Sequence, residues 1–405
     1  MPFRLALSGL NAAQTDLTVT ANNVANVATT GFKQSRAEFA DLFATSQQGV
    51  ASTAVGNGVR VSEISQQFAQ GNIDFTDSSL DLAISGNGFF VMSDGGAVSY
   101  TRAGAFQVDQ EGYVVNSRAQ RLQVYPPLPN GGFNTGGLSD LSLTTGESAP
   151  SATTGADVTL NLSADAEVPA TATFDPTDAT SYNNATSLTV YDSLVAAHTA
   201  TLYFVKGATA NAWESRLYVD GTAVGGANAL QYTAAGELTT PANGEITFPA
   251  YTPATGANAL NMTFDFSDTT QYGGPFAVSA ITQDGYTTGR LIGIDIGDSG
   301  VVQARFTNGR SIALGQIALA NFANPQGLQQ LGDQSWAETF ASGQALRGNA
   351  GNSGFGTLQS GALEASNVDI TEQLVSMITA QRNFQANAQM ISTADSITQT
   401  IINIR

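Results

Sequence analysis

Apolar residues at the start of the chain recur with a period of 3.5. Phe3, Leu7, Leu10, Gln14, Leu17, Ala21 and Val24 are spaced 4, 3, 4, 3, 4 and 3. These are heptad d and a positions, and Gln14 is the one polar member. The opposite face is small and polar, with Ala12, Thr15, Thr18 and Asn22. Such a helix is marginal in water on its own, because nucleation is costly and Gly9 lowers propensity. The far end of the chain supplies a partner. Asp369 followed by Glu372 marks a capped helix start. Ile370, Leu374, Met377, Gln381, Phe384, Ala388 and Ile391 then repeat the spacing, and Ile397, Ile401 and Ile404 continue an apolar face after a phase change. Each stripe carries a glutamine at an a position, where a polar residue fixes register at a cost in stability. The two ends are expected to pair as a coiled coil. Val19, Val375 and Ile378 lie off the seam and widen it towards a second contact surface.

Between the ends the pattern changes to short strands and turns. Phe89 to Met92, Val98 to Arg102, Phe106 to Val108, Tyr113 to Val115 and Leu122 to Tyr125 read as successive strands, with Asp109 to Gly112 a turn. Val301 to Thr307 and Arg310 to Ala318 read as a hairpin around Asn308-Gly309, a pair in which both positions tolerate positive φ. Pro126, Pro127, Pro129 and Pro150 break the pattern within 126–156. A second β pattern follows in Val158 to Leu162, Leu188 to Tyr191, Thr199 to Val205, Trp213 to Val219 and Met262 to Phe266, and ends at Gln271 to Pro275. The fold class expected is multidomain: a terminal α-helical coiled coil plus two mainly-β domains, the outer inserted in the inner. The divisions are 1–24 with 367–405 for the helices, 25–70 with 350–366 for a connecting segment, 71–145 with 280–349 for the inner domain and 146–279 for the outer. Pro126, Pro127, Gly273, Gly274 and Pro275 are the candidate outer hinges. The Asn-rich stretch after Val24 and residues 349–361 are the inner ones.

Composition sharpens this. Charged residues are 12 % of 405, and the net charge is −18. Residues 1–70 balance to zero, whereas 145–279 set Lys206 and Arg216 against thirteen acids. That insert is a soluble, self-repelling surface. No basic patch suits nucleic acid or acidic lipid. Cysteine is absent, so disulfides and thiol chemistry are excluded. No apolar run approaches membrane-helix length, and Leu5 to Leu10 lacks a signal-peptide pattern. His198 is the single histidine, so a Ser-His-Asp triad has one available base, and no nucleophile elbow accompanies it. Asp295 and Asp298 fit a turn better than a calcium loop. No catalytic, cofactor or metal residue is assigned.

The stretch Ala21-Asn22-Asn23-Val24-Ala25-Asn26-Val27-Ala28-Thr29-Thr30-Gly31-Phe32-Lys33 resembles the N-terminal motif of flagellar rod and hook proteins. Asn22, Asn23, Asn26, Gly31 and Phe32 carry the match. Ala6 to Ala13 and Phe39 to Ala44 resemble the hook branch. Asp81 to Phe90 and Tyr100 to Phe106 resemble the family's first β-domain, and Ser360 to Asp369 with Gln381 to Ala388 its C-terminal motif. The resemblance covers about residues 1–125 and 280–405. It implies a subunit of a homopolymeric curved tube that passes motor torque to the filament as a universal joint. It implies export through the flagellar type III route to the cell exterior, without a cleaved signal. Distal rod, hook cap, hook–filament junction and length-control proteins are the implied partners. The alternatives are a distal rod subunit, which the acidic insert disfavours, and a secreted β-rich adhesin or glycan-active protein.

Overall fold

A computed structural model describes residues 2–42, 56–143 and 146–403. Phe43, Ala44 and Ile404 of the patterns above lie outside them. The chain divides into two compact units. One holds residues 1–145, 293–305 and 311–405, the other 146–292 and 306–310.

In the first unit, α1 (Pro2–Ala25) and α2 (Ile370–Asn403) frame a β body. The Asp369 carboxylate accepts from the amides of Thr371 (2.7 Å) and Glu372 (3.2 Å), capping α2 as its sequence requires. The body's main sheet orders Ser311–Asn321, Arg121–Tyr125, Phe89–Asp94, Ala97–Thr101, Ser335–Ala337 and Gln329–Gly332, so strands before and after the insert interleave. Two short ladders join the same two arms of the chain: Leu82–Ser85 with Thr357–Ser360, and Ile73–Phe75 with Ala362–Glu364. One face of the sheet buries Phe90, Met92, Leu122, Val124, Ile317 and Leu319. The other packs Phe89, Tyr100, Phe322 and Trp336 edge to face, at centroid distances of 4.8–5.8 Å. The connecting segment, for which the sequence suggested no strands, forms an antiparallel ribbon of Ser35–Asp41 and Val59–Gln66.

The second unit is two five-stranded sheets. One is an antiparallel meander: Asn184–Tyr191, Ala197–Lys206, Ala212–Val219, Thr222–Tyr232 and Leu238–Thr240. The other is built on Gly155–Ser163, which pairs in parallel with Thr263–Asp265 and Thr270–Tyr272 and antiparallel with Ala277–Gln283. Strict alternation puts Val158, Leu160 and Leu162 of one sheet, and Ala200, Leu202, Phe204, Leu217 and Val219 of the other, into one core.

Pro126 and Pro127 lie inside the first unit, where the Asn134 amide donates to the Pro126 carbonyl and Pro127 bridges Phe133. Gly273, Gly274 and Pro275 lie inside the second, where Asn161 Nδ2 donates to the carbonyls of Gly274 and Pro275. Neither set sits where the chain passes between units, at 145–146, 292–293, 305–306 and 310–311. The wider stretch 126–156 does contain a crossing. Proline and glycine mark reversals within a sheet as readily as boundaries between domains.

Candidate assembly interface

The two helices run antiparallel. Asn23 Nδ2 donates to Gln373 Oε1 at 3.0 Å near one end. Toward the other, Gly9 comes so close to Asn387 that a Cβ at position 9 would lie 2.5 Å from the amide oxygen. On α1 the covered face is Ala6, Gly9, Ala13, Asp16, Thr20 and Asn23, with Ala12 and Val19 also buried beside it. On α2 it is Gln373, Met377, Ala380, Phe384, Asn387, Ile391 and Ala394. Both faces keep the 3.5 period. Relative to the expected seam, the α1 face is turned back by one residue, and the α2 face keeps only Met377, Phe384 and Ile391. The physical reason is size: glycine and alanine let two backbones approach, and the helices pack through that groove. The α1 helix also rests on the ribbon, where Ser8 Oγ accepts from the Val59 amide at 3.3 Å.

Several large apolar residues are therefore left outward. Phe3 (51 % exposed), Leu7, Gln14 and Ala21 are exposed, and Leu10, Leu17 and Val24 are half-buried. On α2, Ile370, Leu374, Val375 (61 %), Ile378 and Gln381 are exposed, as are Met390 and Ile397; Ala388 is half-buried. At about 1.5–3 kcal/mol per fully buried large side chain, each half-exposed residue retains roughly 1 kcal/mol of unused burial.

Where the helices meet the β body, the Asn-rich motif acts as a clasp. Asn26 Nδ2 donates to the Asn22 carbonyl and to Asn22 Oδ1, ending α1. Asn23 Nδ2 donates to the Ser35 carbonyl at 2.8 Å, and its Oδ1 accepts from the Ser35 amide at 2.9 Å. Gly31 has φ +70° and packs on the Arg102–Ala103 backbone, where a Cβ would clash; its amide donates to the Glu364 carbonyl at 2.7 Å. Phe32 is half-buried and lines a small cleft with Lys33, Gln66 and Trp336. Asn367 returns from the other arm, accepting from the Gln34 amide and donating to the Gln67 and Ala69 carbonyls.

At the centre is a buried ion triad. The Glu364 carboxylate accepts from Lys33 Nζ at 2.6 Å, Arg102 Nη1 at 3.2 Å and the Gly71 amide at 2.9 Å. The Lys33 and Glu364 side chains are wholly buried. Burial pushes the Lys33 ammonium and the Arg102 guanidinium down, and Glu364 opposes both shifts. Arg102 also donates to the Gly86 carbonyl at 2.8 Å and stands 5.5 Å from the Phe89 ring centroid. Sequence reasoning did not single out these three charges. A signal existed: each is a charged residue inside a motif, in a chain where charge is scarce.

Elsewhere, both ring nitrogens of His198 are engaged by carboxylates, Asp220 at 2.6 Å and Asp192 at 3.1 Å, so neither faces a nucleophile. Asp295 is exposed, next to buried Ile296 at the end of Leu291–Ile296, and Asp298 lies in the turn after it. Among the described residues no cluster of three or more His, Cys, Asp or Glu could hold a metal, and no helix is long and apolar enough to cross a membrane.

A helix pair made from both chain ends, clasped by an Asn-rich motif to a β body that carries an inserted β unit, is the arrangement that the resemblance to flagellar rod and hook proteins implies. Family models agree along the chain: flagella basal body rod protein at residues 3–33, flagellar hook protein FlgE/F/G D1 domain at 83–190, flagellar basal body protein FlaE D2 domain at 161–286, and flagellar basal body rod FlgEFG protein C-terminal at 359–404. The chain is 41 % identical to the flagellar hook protein FlgE of Escherichia coli K12 over the full length of both. It is 36 % identical to that of Rhizobium meliloti 1021, covering all of this chain and 98 % of the relative, and 33 % identical to that of Borreliella burgdorferi, covering 98 % of each. The crystal structure of the Helicobacter pylori flagellar hook protein FlgE2 shares the fold, with a TM-score of 0.54 at 14 % identity over 72 % of this chain and 100 % of that one. The chain belongs to the flagellar hook protein FlgE family and is a structural component of the flagellar hook.

Proposed function

We propose that the chain polymerises into the hook's curved, flexible tube through the outward apolar stripes of α1 and α2, and that the tube carries motor torque to the filament. The observation that carries this reading is the rotated seam. The helices meet through the small residues of α1 and leave Phe3, Leu7, Ile370, Leu374, Val375 and Ile378 exposed, available to neighbouring copies. In the assembled tube the helices would lie innermost and the acidic unit outermost, which agrees with its charge. The clasp at Lys33, Arg102 and Glu364 would pass load from the helices to the β body, because its groups are buried and multiply bonded. The role is mechanical rather than catalytic. Distal rod, hook cap, junction and length-control proteins are its proposed neighbours. The flagellar type III apparatus, without a cleaved signal, is its proposed route to the cell exterior.

The test is Leu7→Asp combined with Leu374→Asp, examined by electron microscopy of purified protein and by circular dichroism. Loss of short curved tubes with the β signal intact supports the reading. Tubes formed at the wild-type protein concentration would overturn it.

A further inference from the structure

His198 and its neighbours tie together three loops of the second unit. The ring stands in Ala197–Lys206 and is 6 % exposed. On one side is the turn after Asn184–Tyr191. There Asp192 has a fully buried carboxylate: Oδ1 accepts from the amides of Leu194 (2.8 Å) and Ala196 (2.9 Å), and Oδ2 faces His198 Nε2 and accepts from Thr255 Oγ1 at 2.8 Å. On the other side is the turn between Ala212–Val219 and Thr222–Tyr232. There Asp220, φ +50° and 44 % exposed at its side chain, faces His198 Nδ1 at 2.6 Å and accepts from the Thr199 amide at 2.9 Å. The third loop carries Thr255 and Tyr251, whose ring packs edge-on to the imidazole at 5.8 Å. The Tyr251 hydroxyl also faces Asp220. Asp192, Asp220 and Tyr251 are the titratable groups that face the ring from these elements.

An imidazolium donates from both nitrogens and can bridge two carboxylates. A neutral imidazole has one N–H and turns a lone pair on the second carboxylate. The two carboxylates differ in what they can do about that. Asp192 is buried with four donors, and Asp220 can turn to water. We propose that His198 is a proton-operated latch that holds the Asp220–Gly221 turn when charged and releases it when neutral, while the bond to Asp192 persists. The neutral ring then keeps its proton on Nε2. Protonation also tracks the geometry: burial works against the charged ring, but Asp220 and Asp192 outweigh it and hold the His198 pKa above its ordinary value. The latch therefore opens on the alkaline side of the usual histidine range.

The chain has one histidine, so selective ¹⁵N-histidine labelling of the full chain gives one ring to read. A pH titration should show both nitrogens protonated above the ordinary histidine midpoint, then an Nε2–H tautomer. Hydrogen exchange, corrected for its intrinsic pH dependence, should show protection at residues 219–222 falling by up to about tenfold per pH unit between the ordinary histidine midpoint and the raised one, and levelling off above it. Asp220→Asn should return the midpoint towards its ordinary value and remove the pH dependence of that turn. A midpoint at or below the ordinary value overturns the proposal, and so does an Nδ1–H tautomer. Protection at 219–222 that does not change across the titration also overturns it.

Discussion

Glu364 holds two cations where water cannot reach. Removing one member of a buried ion network costs more than the network contributes, because the remaining charges are stranded. Glu364→Ala should therefore destabilise the first unit by about 3–5 kcal/mol, read as a lower denaturant midpoint for that unit. Two titratable groups of the second unit, Asp192 and His198, respond to pH with opposite signs. Asp192 is pushed up by burial, but bonds from Thr255, His198, Ala196 and Leu194 win and hold it at about 2. Its contribution is complete above the ordinary aspartate value of 3.8 and is lost as pH falls through about 2. The raised His198 contributes fully below 6.5 and loses its contribution as pH climbs through its elevated midpoint. Calorimetry of the full chain should find the second unit's transition highest between these limits. Asp192→Asn should flatten the acid side.

At the scale of elements, the period of both terminal helices was legible, and so was the cap at Asp369. The orientation of the seam was not. Hydrophobicity selects Leu7, Leu10 and Leu17, whereas contact distance selects Ala6, Gly9 and Ala13, and only the second decides which faces of two helices can touch. Gly9→Leu places a side chain where Asn387 sits, and should separate α1 from α2. Loss of helix signal on circular dichroism with the β bands unchanged would register it. Strands with clean alternation, such as Gly155–Ser163 and Ala197–Lys206, were readable for the same reason that they pack: every second residue enters a core. The ribbon of Ser35–Asp41 and Val59–Gln66 was not. Its sequences SRAEFAD and VRVSEISQ bury few residues, so no apolar rhythm marks them. The clasp was half-legible. Its asparagines and Gly31 stood out by type, but the partners of Lys33, the Ala69 carbonyl and Glu364, lie 36 and 331 positions away, and no local pattern encodes that.

For the whole molecule, interior order and exterior association draw on different residues. On the proposed reading, the small residues of α1 join the helices of one copy, and exposed apolar residues such as Phe3, Leu7, Leu374 and Val375 remain for the next. A chain lacking residues 1–24 should keep both β units, with protected amides in Phe89–Asp94 and Ala200–Phe204. The same chain should sediment as a single species at concentrations where the intact protein forms tubes.

The interleaving of strands within the main sheet also sets a timetable. Ser311–Asn321 inserts beside Arg121–Tyr125 and Phe89–Asp94, and Glu364 must reach Lys33 and Arg102. A chain delivered N-terminus first can therefore complete its acidic insert, which is nearly continuous in sequence, while the sheet that carries it still waits for its missing strands. All of the insert's residues precede residue 311, so a nascent subunit stalled there should present one finished unit on an open frame.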